Sequence, residues 1–299
     1  MTPPADPGQS GASAPTPDPD LAGWIGRSET GHDAITAAPL LALAATLDHP
    51  AAAVQAGAEL PPLWHWLYFL PMHRQSEIGP DGHPRRGGFL PPVPLPRRMW
   101  AGSQFEFHSP VRVGDAVTRH STIEDVSTKH GRSGTLVFVK VRHALCCNGA
   151  VQPALVEFHD IVYREAQRPG DVAPPPQAAP AQATWQREIV PDAVLLFRYS
   201  ALTFNGHRIH YDRPYVTQVE GYPGLVVHGP LIATLLLDLL RRELPGAEVA
   251  SFRFKAVRPT FDLNSFRVSG DLLPDGKTVQ LWAQDHEGWL TMDASAALR

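Results

Sequence analysis

The hydrophobic pattern is clearest in the last third of the chain. The segment LIATLLLDLLRREL, which begins at Leu231, repeats leucine at helical spacing and keeps its basic residues for its end. The preceding Gly229-Pro230 pair marks the start of a helix, because a proline in the first turn has no N–H bond to lose. A helix that is apolar on nearly every side is predicted to be buried.

Strand-like alternation follows this helix. In SFRFKAV, phenylalanines alternate with Arg253 and Lys255, and the segments SFRVSGDLL, TVQLWAQ and WLTMDASAAL come after short turns at 274–276 and 285–288. Period-two segments joined by short turns are typical of an antiparallel meander. One buried helix followed by a meander predicts an antiparallel sheet wrapped round a central helix.

The N-terminal half repeats this plan, which gives an α+β fold class. A helix is predicted near Ala34–Leu47, and Gly131–Gly134 is predicted to be a hairpin turn, not a phosphate-binding loop. Between helix and strands, residues 60–100 are rich in Pro, Trp and Gly. Long irregular segments in compact domains are usually functional or disordered; the aromatic content favours packing over a binding cavity. The predicted strands lie near Gln104–His108, Asp115–Val126, Gly134–Leu145 and Leu155–Tyr163.

Two segments of biased composition set the predicted boundaries. Residues 1–20 are rich in Pro, Gly, Ser and Asp and are expected to form a disordered tail, with no secretory signal. Residues 168–185 are rich in Pro, Ala and Gln and are expected to be an extended linker. The N-terminal repeat would then span 21–167 and the C-terminal repeat 186–299.

Composition narrows the possible partners and compartments. The chain has 299 residues, a formal net charge of −4 and no basic stripe, so no nucleic-acid partner is expected. Its only cysteines, Cys146 and Cys147, are adjacent, which fits a reducing cytoplasm. The longest apolar run, Leu231–Leu240, is shorter than the roughly 20 residues that span a bilayer, so no membrane insertion is expected.

The segment FNGHRIHYD, residues 204–212, gathers potential metal ligands and acid/base groups. A metal site built from His207, His210 and Asp212 is not favoured, because histidines three apart face the same way only on a helix. We therefore expect no metal. A polar loop whose histidines are only hydrogen-bonded remains open at this point.

The segment VVHGP, residues 226–230, favours catalysis. His228 and Gly229 stand where the buried helix begins, and a helix N-terminus offers free backbone N–H groups and the positive end of the dipole. Aimed at a carbonyl oxygen, those groups form an oxyanion hole. An acid/base loop followed by such a helix start forms a plausible catalytic site.

These two motifs resemble the hydratase branch of the hot-dog fold, the MaoC-like enoyl-CoA hydratases and 3-hydroxyacyl-thioester dehydratases. The resemblance puts His210 in the place of the catalytic histidine and Asn205 in the place of the catalytic aspartate. Since a carboxamide accepts no proton at neutral pH, Asn205 would orient water or the thioester and not act as a base.

A closer resemblance covers nearly the whole chain. The motifs WIGRSE, LPPLWHWLYFL, DGHP–GGFLPPVPLPRRMWAG, GRSGTLVFVKVRH, DIVYRE, YSALTFNGHRIHYD and GLVVHGPL are similar to the double-hot-dog itaconyl-CoA and mesaconyl-C4-CoA hydratases, relatives of the mitochondrial-type dehydratases. The resemblance implies a double hot-dog with two antiparallel sheets, each wrapped round a central helix. It implies water addition to an enoyl-CoA thioester, foremost a C5-dicarboxylyl one, with one active site per chain, no cofactor besides the CoA of the substrate, and a possible homodimer.

The resemblance and the residues together assign roles. His210 is expected to be the general base, and the backbone N–H of Gly229, with that of His228, to polarise the thioester oxygen. Arg208 could meet a substrate carboxylate or lie exposed. Lys255 and Arg258 could hold CoA phosphates or simply face outward from a strand.

Neighbouring residues are expected to be structural. Asp212 would bind the His210 ring or a loop amide, and Tyr199 and Ser200 would belong to a strand before the motif. The tryptophans of the long insertion would build the core beneath it rather than contact substrate; they are Trp64, Trp66 and Trp100.

Three other functions remain open from the sequence. A general 3-hydroxyacyl-CoA or acyl-carrier-protein dehydratase would share the same motifs. A thioesterase is the other common use of the hot-dog fold, although it normally needs a carboxylate in the site. A non-catalytic acyl-thioester-binding protein stays possible because asparagine stands at the acid/base position.

Overall fold

The structure, a computed structural model, describes residues 21–50, 54–131, 134–166 and 175–299. The predicted tail 1–20 and much of the predicted linker 168–185 lie outside these residues. The helices are α1 Ala37–Thr46, α2 Ala193–Leu202, α3 Arg213–Gln218 and α4 Gly229–Glu243. The strands are β1 Ser28–Ala34, β2 Arg97–Phe107, β3 Ala116–Gly131, β4 Gly134–Cys147, β5 Leu155–Arg164, β6 Trp185–Ile189, β7 Val249–Ala256, β8 Phe266–Leu272, β9 Thr278–Gln284 and β10 Leu290–Leu298.

All ten strands form one antiparallel sheet, in the order β1-β3-β4-β5-β2-β7-β10-β9-β8-β6. Each repeat supplies five neighbouring strands, and β2 pairs with β7 at the seam, where Phe105 lies opposite Phe252. The two antiparallel sheets predicted from the sequence are thus present as five-stranded halves that join edge to edge. Pairing the two edge strands satisfies backbone groups that each half-sheet would otherwise leave open.

Helix α4 is the centre of the C-terminal repeat. All ten residues from Leu231 to Leu240 are buried, as the sequence predicted, and the helix packs against β6, β8, β9 and β10. In the N-terminal repeat, the shorter α1 packs on α2 and on the turn Trp64–Leu67. None of the helices in the described part of the chain is long and apolar enough to cross a membrane.

A buried carboxylate on α4 ties the two repeats together. Asp238 is 1% exposed and lies 2.5 Å from Nε2 of His49, which comes from the N-terminal repeat. It also accepts hydrogen bonds from Arg187 at 3.0 Å and from Arg242 at 2.8 Å. Arg242 in turn donates to the backbone oxygen of Leu47. One charge on the buried helix therefore fixes how the end of α1 sits against it.

The elements around the motif differ from the prediction. Tyr199 and Ser200, predicted on a strand, lie on α2, where the side chain of Asp192 caps the helix by accepting from the N–H of Leu195. The buried positions Leu196, Tyr199 and Ser200 follow helical spacing, which the strand interpretation overlooked. The insertion also ends earlier than predicted, because β2 already begins at Arg97. Strand β6 starts at Trp185, the last residue of the predicted linker.

Replacing Asp238 by alanine is predicted to destabilise the fold by about 2–4 kcal/mol, because two arginines and His49 lose their common partner. Urea unfolding would measure the free energy of unfolding. Asp125→Ala is the control, since Asp125 is exposed on β3. Equal stability of the two variants would contradict the role given to Asp238.

Candidate active site

One large cavity of about 2680 Å³ is lined by both repeats and by the insertion. Small-molecule pockets are usually about 300–1,000 Å³, so this space suits a bulky ligand. The C-terminal repeat contributes the loop Asn205–His210 and the start of α4, and the N-terminal repeat contributes side chains of β2–β5. The insertion therefore packs over a cavity, as the sequence predicted.

His210 presents one free ring nitrogen to this cavity. It ends a short 3-10 turn, Arg208–His210, and is buried. Its Nδ1 lies 2.6 Å from the backbone oxygen of Val226, so Nδ1 carries the proton and donates it in a hydrogen bond. The Nε2 lone pair is therefore available to accept a proton.

His228 holds the ring of His210 in position by stacking against it. The two rings stack with centroids 3.7 Å apart and planes 17° apart, and His228 is 1% exposed. Nε2 of His228 lies 2.8 Å from the hydroxyl oxygen of Ser200. His228 is also the N-cap of α4, so this stack sets His210 beside the helix N-terminus.

Gly229, the first residue of α4, leaves its backbone N–H without an intrahelical acceptor. A Cβ atom added at Gly229 would meet only Cε of Met292, at 4.0 Å, so a ligand can approach the backbone closely here. Gly229 also lines the cavity, which is where an oxyanion hole would have to lie.

Asn205 is fixed by the backbone on both sides. Its Oδ1 accepts from the N–H of His207 at 3.0 Å, and its own N–H donates to the backbone oxygen of Ser200 at 2.8 Å. Asn205 lines the cavity, and within the described part of the chain its Nδ2 amide group has no hydrogen-bond acceptor. Asn205 can therefore donate a hydrogen bond to water or to a carbonyl oxygen.

Burial keeps the histidines of the site neutral. It lowers the pKa of His210 to about 4, although the hydrogen bond to Val226 acts in the opposite direction. Burial, with smaller contributions from the neighbouring imidazoles, lowers the pKa of His207 to about 2 and holds that of His228 well below its usual value. At neutral pH, His210 is thus in the form that a general base needs.

The insertion packs directly on the loop Asn205–His210, which is called the motif loop below. The N–H of Arg208 donates to the backbone oxygen of Asp81 at 2.9 Å, and its guanidinium donates to that of Pro80. Gly82 has a φ of +88°, and a Cβ there would lie 1.8 Å from the backbone oxygen of Gly206. Only glycine allows the two loops to approach this closely.

Through this contact, Asp81 and His83 of the insertion lie beside the motif loop. The sequence could not predict this proximity, because the two segments are far apart along the chain. Nδ1 of His83 lies 3.3 Å from Oδ2 of Asp81, and its ring lies 4.0 Å from that of His207, centroid to centroid. The ligand atoms of Asp81, His83 and His207 lie within 4.8 Å of one another, so this group could hold a metal ion. It is a different set from the one considered on the sequence, because Asp212 turns away.

A second polar cluster lies in the N-terminal part of the cavity. Glu157 is 4% exposed and accepts hydrogen bonds from the rings of His65 and Trp66 and from Ser103. Burial, the largest single effect, would raise the pKa of Glu157, but the hydrogen bond from His65 and the charges of His65, His159 and His143 together lower it to about 2. Nearby His159 has a pKa lowered to about 3, chiefly by burial. The sequence analysis missed this cluster; its signal was the spacing of Glu157 and His159, which are two residues apart on β5 and therefore lie on one face of the sheet.

Of the three cationic residues predicted to bind substrate, two line the cavity and one does not. Arg208 lines the cavity but donates two hydrogen bonds to Asp212, and its guanidinium lies 4.1 Å from the ring centroid of Tyr215. Arg258 lines the cavity and lies 3.8 Å from Asp285. Lys255 is exposed and lies outside the lining.

Asp212 and the tryptophans, which the sequence analysis expected to have structural roles, mostly lie as predicted. Asp212 caps α3 by accepting from the N–H of Tyr215, the loop-amide alternative of the prediction. Trp64 is buried in the main core, whereas Trp66 and Trp100 pack on that core and also line the cavity.

Comparison with known proteins shows which family this chain belongs to. The sequence profile of the family described as hydroxyacyl-thioester dehydratase type 2 matches residues 63–262. The chain is 46% identical to mesaconyl-C(4)-CoA hydratase from Chloroflexus aurantiacus over 284 residues, which cover 93% of this chain and 98% of that protein. The chain belongs to the hydroxyacyl-thioester dehydratase type 2 family. This membership confirms the family predicted from the motifs and the expectation of a hydratase–dehydratase enzyme.

Solved structures confirm the fold of this family member. A structure described as a MaoC-like dehydratase has a TM-score of 0.69 and 14% identity, covering 93% of this chain and 99% of its own. A Mycobacterium tuberculosis protein described as a double hotdog has a TM-score of 0.56 and 13% identity, covering 92% and 96%. The predicted double hot-dog is therefore confirmed, with its two half-sheets joined.

The pH dependence of kcat/KM should report the lowered pKa of His210. A base with a pKa near 4 is neutral throughout the range above it and is lost only as the pH falls through that value. We predict a constant kcat/KM from pH 8 down to about pH 5.5 and a fall towards pH 4. An inflection near pH 6.5, the value of an exposed histidine, would contradict the burial argument.

Gly82→Ala should undock the insertion from the motif loop, because its Cβ would overlap the backbone oxygen of Gly206. We predict greater cleavage of the insertion in limited proteolysis and a marked loss of turnover. Gly87→Ala is the matched control, since Gly87 also has a positive φ but open space around its Cβ position. Equal behaviour of the two variants would show that backbone strain, not docking, is responsible.

Proposed function

We propose that this protein hydrates the double bond of a C5-dicarboxylyl enoyl-CoA thioester, with mesaconyl-C4-CoA as the foremost substrate and citramalyl-CoA as the product. The observation that supports hydration is the neutral His210, whose free Nε2 faces the cavity beside the N-terminus of α4. The substrate class is inferred from the named activity of the Chloroflexus aurantiacus relative.

The proposed reaction begins with water held at Nε2 of His210. His210 takes a proton from the water as the water oxygen bonds to the β-carbon. The electron pair of the carbon–carbon double bond then forms a double bond between the α-carbon and the carbonyl carbon, and the carbonyl pair moves to the thioester oxygen to give an enolate. The N–H of Gly229 donates a hydrogen bond to that oxygen as charge builds on it. His210 then returns the proton to the α-carbon, which restores the thioester carbonyl.

The remaining groups position the reactants. Asn205 donates through Nδ2 to the water or to the carbonyl oxygen and takes no proton. His228 acts through its ring, which holds His210 in place, and not through a direct contact with substrate. Arg208 holds the insertion on the motif loop, and Arg258 remains the candidate for a CoA phosphate contact at the cavity edge. This mechanism uses no metal or redox cofactor, since the thioester itself activates the β-carbon.

A parallel turnover assay tests the proposal. The purified protein is offered mesaconyl-C4-CoA, itaconyl-CoA and crotonyl-CoA, and products are separated by chromatography. We predict citramalyl-CoA as the main product from a dicarboxylyl substrate and slower hydration of crotonyl-CoA. His210→Ala should lower kcat by roughly 10²–10⁴, the usual range for removing a general base. His286→Ala is the control, because His286 is exposed and lies outside the cavity lining.

Each alternative gives a different result in this assay. Preference for crotonyl-CoA would indicate a general 3-hydroxyacyl dehydratase. Release of free CoA without hydration would indicate a thioesterase. Tight thioester binding without turnover would indicate a binding protein, and wild-type turnover in His210→Ala would exclude the proposed base.

A further inference from the structure

The proposed substrate places a charge next to the reacting carbon. In mesaconyl-C4-CoA the free carboxylate is bonded to the β-carbon, the atom that water attacks. The cation that recognises this carboxylate must therefore lie close to the group that activates the water. Cations at the distant CoA end of the cavity cannot serve this purpose.

Two arginines near the catalytic loop are already occupied by the protein. Arg208 is paired with Asp212, with Oδ2 2.7 Å from its guanidinium. Arg86 donates to the backbone oxygens of Val93 and Pro96, which anchors the insertion. Both guanidinium groups have structural acceptors, so neither is available to a ligand without breaking the docked loop.

Arg98 is a third arginine of the cavity lining. It lies on β2 opposite Tyr163 of β5, is half-buried, and lines the cavity. His83 and His207 line the same cavity as Arg98. Burial lowers the pKa of both histidines, and the positive charge of Arg98 lowers it further. Among the described residues, no carboxylate lies within 4.0 Å of its guanidinium.

The surroundings of Arg98 leave its charge uncompensated. The titratable groups that interact with it are the hydroxyl of Tyr163, which accepts a hydrogen bond from Arg98, and the neutral rings of His83, His159 and His207. The ionised Asp81 is engaged by His83 through its backbone N–H and its ring. A guanidinium held in a partly dehydrated cavity without a counter-ion is suited to bind a carboxylate ligand through two parallel hydrogen bonds.

We propose that Arg98 binds the carboxylate on the β-carbon of the substrate and thereby sets the preference for dicarboxylyl over plain enoyl thioesters. The inference rests on the proposed function and adds the residue that selects the substrate. Arg98 would hold the carboxylate while His210 acts on the water at the same carbon.

The kinetic test compares mesaconyl-C4-CoA with crotonyl-CoA in three variants. Arg98→Met keeps the length of the side chain and removes its charge, and it should lower kcat/KM for mesaconyl-C4-CoA roughly 10- to 150-fold. With crotonyl-CoA the change should stay within about threefold. Arg98→Lys should restore part of the loss, since it keeps the charge but not the planar fork. Arg253→Met is the control, because Arg253 is exposed on β7, away from the cavity lining.

A binding measurement tests the same subsite without turnover. Succinyl-CoA is a saturated analogue with its carboxylate on the β-carbon, and butyryl-CoA carries a methyl group there. By calorimetry, Arg98→Met should weaken succinyl-CoA binding by a similar factor and leave butyryl-CoA binding unchanged. Equal losses for both ligands, or no loss for either, would overturn the role of Arg98.

The two proposals fail in different ways. If the wild type prefers crotonyl-CoA or hydrates nothing, the proposed function fails, and the binding measurement still decides whether Arg98 recognises a carboxylate. If the wild type prefers mesaconyl-C4-CoA and Arg98→Met keeps that preference, the subsite is wrong and the proposed function stands.

Discussion

The burial of α4 is the constraint on which the rest of the structure depends. Its apolar residues pack against the C-terminal half-sheet, which fixes the position of the helix. The first turn of the helix then lies in the wall of the cavity. That place fixes the N–H of Gly229 and the ring of His228, on which His210 stacks. The same helix carries Asp238, which fastens the end of α1. A single buried element thus positions both the catalytic groups and the neighbouring repeat.

The insertion completes a site that the C-terminal repeat leaves open on one side. Gly82 and Gly206 touch backbone to backbone, and Arg208 holds the contact from the motif loop. This explains a basic residue within the motif: its side chain secures a loop that encloses the cavity. The burial of His210 and His228 keeps both rings neutral, and the lower local dielectric strengthens hydrogen bonds made beside them.

Local patterns in the sequence predicted the parts that local physics determines. The Gly229-Pro230 start and the leucine repeat identified α4, and alternation identified the strands. Helix α2 was missed because AVLLFRYSAL is apolar enough to be taken for a strand when its three- and four-residue spacing is ignored. The approach of His83 to His207 depends on two loops more than 120 residues apart, and no local periodicity encodes such a contact. The joining of the two half-sheets likewise depends on the pairing of β2 with β7, which alternation within either strand cannot specify.

The most direct test of this account is the crystal structure of the protein with succinyl-CoA. The account predicts the thioester oxygen about 3 Å from the N–H of Gly229 and the β-carbon facing Nε2 of His210, with a water molecule between them. An acyl group bound instead among Glu157 and His159, at the N-terminal end of the cavity, would contradict the assignment of the active site to the start of α4.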